Sequence, residues 1–349
     1  MDAARKRASG RRAIGMLIPD VPAELIHAAG FYPVGVLGHR GSPGSGREHF
    51  QSFTCSYSRS SLDLLLDGSM SFLEGVITPF VCDTTRAVDV VLRHQMKGAF
   101  VECYRPLKSL NGRGARKYIL GEIKRLKENI EKHAGADIKP GSLKKSIALY
   151  NRARGELRRL SPMRETDPGS FYNVCRAFLV LPVEEFIALA EKVKTPIKAK
   201  ENGIPIVIGG KTLEPGNLAK SLADMGARIV ADDLITGARL FEVDLDEDID
   251  PIEAMSDRQI RNIPYAGFCQ GSEDRPDYLV RLARENKAAG VILAVQKFCE
   301  TFEIDTPEVR ERLKKEGIPT FMIETDFEPE VSGAMKTRIE AFLEMIKNG

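Results

Sequence analysis

Apolar residues along this chain fall into short, nearly unbroken runs rather than into alternation. In the first half the runs are Ala13–Ile18, Pro33–Leu37, Gly75–Thr78 with its Pro-Phe-Val extension, and Ala99–Tyr104. In the second half they are Ile204–Ile208, Arg228–Ala231, Gly290–Val295 and Pro319–Ile323. A short run that is apolar throughout predicts a strand covered on both faces, and the helical stretches between runs predict parallel strands.

The two halves follow one plan. AIGMLIPDVPAELIHAAGFYPVGV and PIVIGGKTLEPGNLAKSLADMGARIV both read strand, polar turn, helix, glycine, strand. Pro22 and Pro215 fall near the helix starts, where a missing N–H costs nothing. Gly30 and Gly226 suit the left-handed residue that closes each helix. GVITPFVCDTT then matches GVILAVQKFCET. The expected fold is α/β, with two doubly wound Rossmann-like lobes of short parallel sheets joined by a helical connector. The boundaries are 1–112 for the first lobe, 113–200 for the connector and 201–349 for the second lobe.

Helical periodicity fills the connector. Ile119, Ile123, Leu126 and Ile130 make one apolar face, Ala134-Gly135 stops that helix, and Pro140-Gly141 marks a turn. The next helix carries Leu143, Ile147, Tyr150, Leu157 and Leu160 on one face. Its other face holds Lys144, Lys145, Arg152, Arg154, Arg158 and Arg159, read as a solvated face, with docking or phosphate contact as the sharper alternative. Further helices are expected at Val183–Lys194 and along Met335, Ile339, Phe342 and Ile346.

Charge excludes more than it identifies. Lys plus Arg total 51 and Asp plus Glu 49, so no global field favours nucleic acid. No apolar run reaches the length of a membrane span. MDAARKRASGRR is basic but lacks the apolar core of a secretory signal, so a solvated leader and a cytoplasmic location are expected. The glycine-rich segment Gly38–Arg47 has neither GxGxxG nor the Walker A spacing. It is read as a mobile surface loop, with covering a ligand as the alternative, and the chain is not expected to hydrolyse ATP itself.

The six cysteines are Cys55, Cys82, Cys103, Cys175, Cys269 and Cys299, with no CxxC among them. A scatter of this kind in a large chain is not a disulfide framework. Cys82 and Cys299 each follow the third strand of a half, at the strand end where parallel α/β sheets bind ligands, so both would face the cleft between the lobes. Cys55 precedes a helix expected at Arg59–Leu66, whose N-terminus favours negative charge. Against this stands the ordinary reading of a free cysteine as a small buried hydrophobe. That reading is kept for Cys103 in a strand, for Cys175 in a connector helix and for Cys269, the last being the best placed extra ligand. Spacing alone leaves the shared site open. Among polar neighbours, His49 lies six residues before Cys55 and is the candidate catalytic proton carrier. His27 is read as packed or partly solvated. Asp83, Glu300, Arg59 and Glu324 stay open between a role at the site and a surface one.

Longer words bring a family into view. VPAELIHAAGFYPVGVLG, FQSFTCSYSRSSLDLLLDG, LEGVITPFVCDTTR, LPVEEF, GVILAVQKFCE, GIPTFMIETDF and TRIEAFLEM resemble the benzoyl-CoA reductase / 2-hydroxyacyl-CoA dehydratase family, from about Ile14 to the C-terminus. The resemblance implies that Cys55, Cys82 and Cys299 bind a 4Fe-4S cluster in the inter-lobe cleft, leaving one iron open to water or substrate. It also implies a homologous second subunit with its own cluster, a separate ATP-hydrolysing iron–sulfur activator and an acyl-CoA substrate. IHAAGFYPVGVLG, FQSFTCSYSRSS and ITPFVCD resemble most the small subunit of ATP-dependent aromatic acyl-CoA reductases. Such a subunit serves one-electron reduction of a CoA thioester. A 2-hydroxyacyl-CoA dehydratase subunit, eliminating water through a ketyl radical, is the close alternative. A double-cubane reductase would need more cysteines in matching motifs. A two-lobed small-molecule binding module is the alternative from another class.

Overall fold

The computed structural model describes residues 2–18, 21–39, 44, 46–107, 113–194, 203–213, 216–261, 274–327 and 330–348. They form two compact units. The first comprises Met1–Glu156, Ala177–Lys192 and Val243–Asn262, and the second Leu157–Arg176, Val193–Glu242 and Ile263–Gly349.

The first unit is built on four parallel strands, β1 (Ala13–Leu17), β2 (Tyr32–Val36), β3 (Gly75–Pro79) and β4 (Phe100–Tyr104), in the order β2-β1-β3-β4. Its unbroken apolar strands face two cores. Ile14, Met16 and Ile77 pack with the helices Ala115–Ala134 and Pro140–Leu160 on one side. Ala13, Leu17, Val34, Val36 and Val76 pack with Leu62, Val88 and Leu92 on the other. Burial on both faces is why these strands lack alternation.

The second unit repeats the plan with β5 (Ile204–Gly210), β6 (Ala227–Asp233), β7 (Gly290–Gln296) and β8 (Thr320–Thr325), all parallel, in the order β6-β5-β7-β8. The two orders are the same once renumbered, as the internal repeat predicts. Gly30 and Gly226 take φ of 87° and 90°, the left-handed conformation expected at both helix ends. Pro215 and Cys269 lie outside the described residues.

Several local expectations are corrected. Pro140 opens the helix Pro140–Leu160 instead of marking a turn before it, which suits a residue with no N–H to offer. The helix expected at Val183–Lys194 ends at Ala190. The basic face of Pro140–Leu160 is only partly solvated. Lys144, Lys145 and Arg152 are exposed, but Arg154 is buried and paired with Glu24. Arg158 donates to the Phe241 carbonyl, and Arg159 to that of Val193 at 3.0 Å. Arg154 follows Tyr150 by four residues and precedes Leu157 by three, so it stands on the apolar stripe itself.

Candidate metal centre

In a sheet of order β2-β1-β3-β4 the strands are added to one side of β1 and then to the other, so the winding switches between β1 and β3, and in the second sheet between β5 and β7. Ligands bind at the carboxyl edge of such a switch point. Cys82 follows β3 and Cys299 follows β7, so both stand at that edge of their own sheet.

Each of the three singled-out cysteines is an N-cap. Cys82 caps the helix Asp83–Gln95. The Thr85 N–H donates to Cys82 Sγ at 3.4 Å, and Thr85 Oγ1 accepts from the Cys82 N–H at 3.2 Å. This reciprocal box normally has an oxygen where Cys82 places sulfur. Cys55 caps Ser56–Leu66, which begins three residues earlier than expected, and its Sγ lies 3.3 Å from Ser58 Oγ. Cys299 caps Glu300–Lys315, with Sγ 3.8 Å from Thr301 Oγ1. All three are free thiols and at most 8% exposed. The positive end of a helix dipole favours negative charge beside it, and at Cys82 a backbone N–H is aimed at the sulfur.

Each cap is held by a different device. Tyr57, fully buried two residues after Cys55, donates its hydroxyl to the Val36 carbonyl at 2.9 Å and accepts from the Ile18 N–H at 3.0 Å. Val36 ends β2 and Ile18 lies just past β1, so this clamp brings Cys55 to the carboxyl edge that Cys82 also occupies. Tyr57→Phe leaves both backbone groups buried without that partner. It is expected to cost about 1–3 kcal/mol, read by urea unfolding, with faster amide exchange at Ile18. An unchanged midpoint would show that the clamp contributes nothing.

Asp63, on the same helix and 2% exposed, accepts from the backbone N–H groups of Gly44, at 2.9 Å, and of Gly46, and it meets His39 Nε2 at 3.3 Å. A Cβ on Gly46 would come within 2.6 Å of the Arg59 carbonyl oxygen, so only glycine fits against this helix. The described part of the glycine-rich segment is therefore tied down at these points.

At Cys299 the strain is local. Phe298 has φ of 60°, a conformation that costs a bulky side chain roughly 1–2 kcal/mol. Its N–H donates to Glu303 Oε1 at 2.8 Å, which fixes the turn into the cap.

The other candidates divide. His49 ends the helical turn Gly46–His49, is half-buried, and has no hydrogen bond to a described residue. His27 is structural: Nδ1 lies 3.0 Å from Ser146 Oγ and Nε2 3.1 Å from Glu184. Asp83, Glu300 and Glu324 are exposed. Arg59 Nε is buried with no partner among the described residues. Burial pushes the Cys103 thiol up, and the Cys175 thiol well above its ordinary value, as befits packed, protonated side chains. Among the described residues no group of three or more His, Cys, Asp or Glu has the arrangement of a metal site. The donor chemistry nonetheless fits thiolate ligation: buried free thiols at helix N-termini, one receiving a backbone N–H. The sequence reading missed the shared N-cap role, although Cys82 with Thr85 three residues on has capping-box spacing.

Repeated parallel α/β units with a thiol capping the helix after the switch-point strand define the class of protein. The 2-hydroxyglutaryl-CoA dehydratase, D-component, family profile matches residues 20–346, and the chain belongs to that family. It is 28% identical to the beta subunit of (R)-2-hydroxyglutaryl-CoA dehydratase from Acidaminococcus fermentans, over 98% of this chain and 94% of that one. It is 29% identical to one of the subunits of benzoyl-CoA reductase from Thauera aromatica, over 88% and 84%. The beta subunit of (R)-phenyllactyl-CoA dehydratase from Clostridium sporogenes is 26% identical, over 97% and 92%. Among the described residues no helix is long and apolar enough to cross a membrane.

Proposed function

We propose that this chain is an iron–sulfur subunit of a cytoplasmic enzyme that acts on an acyl-CoA thioester. The observation that carries the reading is the set of three buried, free, helix-capping cysteines in a member of this family. Cys55, Cys82 and Cys299 would hold a 4Fe-4S cluster, which supplies electrons singly at low potential when bound. The rest falls to ordinary side chains. The Thr85 N–H donates to the Cys82 sulfur and would tune it, as hydrogen bonds to ligand atoms do, and Ser58 Oγ stands 3.3 Å from the Cys55 sulfur. Tyr57 and Asp63 keep the Cys55 helix and the segment before it in register. His49, half-buried on that segment, is the proton carrier.

The finer reading is a reductase of the benzoyl-CoA type, supported by the words around Cys55 and Cys82. The dehydratase reading is favoured by a different observation, the end-to-end match to a dehydratase subunit over 98% and 94% of the two chains. In both, the chain works with a homologous second subunit that has its own cluster and with an ATP-hydrolysing activator. The relatives' names as subunits support a partner. The complex, supplied with reduced activator and ATP, is assayed on benzoyl-CoA and on a 2-hydroxyacyl-CoA. Ring reduction without dehydration supports the reductase, the converse the dehydratase, and turnover of neither contradicts both.

A further inference from the structure

The helix that Cys299 caps is fastened from inside the second unit. Arg275 opens the helix Arg275–Glu285 and is 3% exposed. Its Nε donates to Asp233 Oδ2 at 2.7 Å, and Asp233, fully buried, is the last residue of β6. Its Nη1 donates to Asp305 Oδ2, and Asp305 belongs to the helix that Cys299 caps. The guanidinium carbon lies over the Phe302 ring, 4.8 Å from its centre, and Phe302 is 1% exposed on the first turn of that helix. One planar cation thus ties a sheet edge to two points within six residues of the thiol.

We infer that Arg275 is the positioning residue for Cys299, setting where its helix begins through Asp305 and Phe302. The inference rests on the reading of Cys299 as a ligand for its use, but the geometry can be tested without iron. The fork is what matters. A lysine ammonium is a single point and cannot bond Asp233 and Asp305 in this fork while also covering the Phe302 ring. The Phe298 backbone at φ of 60° adds strain at the turn that this helix start must hold.

The test is timed iodoacetamide labelling of the iron-free full chain, with each cysteine peptide quantified by mass spectrometry. Asp305→Ala cuts the link to the Cys299 helix and leaves the Arg275–Asp233 pair. Arg275→Lys is the second variant, chosen because it keeps the charge. Both are expected to speed labelling of Cys299 about tenfold through local opening. Cys175, buried in the same unit, and Cys82, in the other, should keep their parent rates. Combining the two substitutions should add little to either alone, because both break one link. A Cys299 rate equal to the parent's in both variants overturns the inference, and so does a rise shared with Cys175, which would mark general loosening. Because the assay uses no metal, its outcome is separate from whether Cys299 binds iron.

Discussion

Cys82→Ser is expected to remove most of the iron from the reconstituted protein while leaving the iron-free fold almost untouched. The two effects separate because Cys82 has two jobs. As an N-cap it accepts the Thr85 N–H, and serine is among the best residues for that task. The unfolding midpoint of the iron-free chain should therefore change by no more than about 1 kcal/mol in stability. As a ligand it supplies a soft thiolate, which a hydroxyl does not replace. Iron per chain and the visible absorption should fall together. Cys103→Ala and Cys175→Ala remove thiols that burial keeps protonated, and both should retain full iron. Full iron retention in Cys82→Ser would remove Cys82 from the ligand set.

Arg154→Leu is expected to destabilise the protein by about 3–5 kcal/mol at neutral pH, the cost of leaving a buried charge without its partner. Glu24 and Arg154 are each 3% exposed and directly paired, and Arg154 Nη1 also reaches Asn151 Oδ1 at 2.8 Å. Burial alone would push the Glu24 carboxyl up. The facing Arg154 charge, then Arg258 and the hydrogen bond from Arg154, outweigh burial and hold it below its ordinary value. A depressed carboxylate contributes stability above its unfolded pKa of about 4.3 and loses it as pH falls through the folded value. Without Arg154 the remaining burial raises the Glu24 pKa, so the variant gains relative stability as the carboxyl protonates. The deficit measured by urea unfolding should thus be widest at neutral pH and narrow on acidification. A deficit that widens would contradict this assignment. The double change Glu24→Leu with Arg154→Met should recover most of the loss, since no charge is then left buried alone.

What could be read from the sequence follows from what each signal depends on. All eight strands among the described residues were legible because burial on both faces writes an unbroken apolar run. The repeat carried the shared topology of the two sheets, though not the strand order within them, since Gly30 and Gly226 close equivalent helices. Cys82 and Cys299 could be placed at sheet edges because the strands before them could be placed. The Cys55 cap was not legible, because it depends on the Tyr57 clamp to residues 39 and 21 positions earlier in the chain. The Asp63 bonds to Gly44 and Gly46 are hidden for the same reason. Arg154 was misplaced by residue type, although its spacing from Tyr150 and Leu157 put it on the buried stripe. Charge type predicts exposure only until a partner such as Glu24 is brought up by the fold.

Iron and acid-labile sulfide, quantified on the full chain after anaerobic reconstitution, test the central claim most directly. The account predicts a brown protein with about four irons and four sulfides per chain, depleted in the Cys55, Cys82 and Cys299 variants. A colourless, iron-free chain after the same treatment would contradict it.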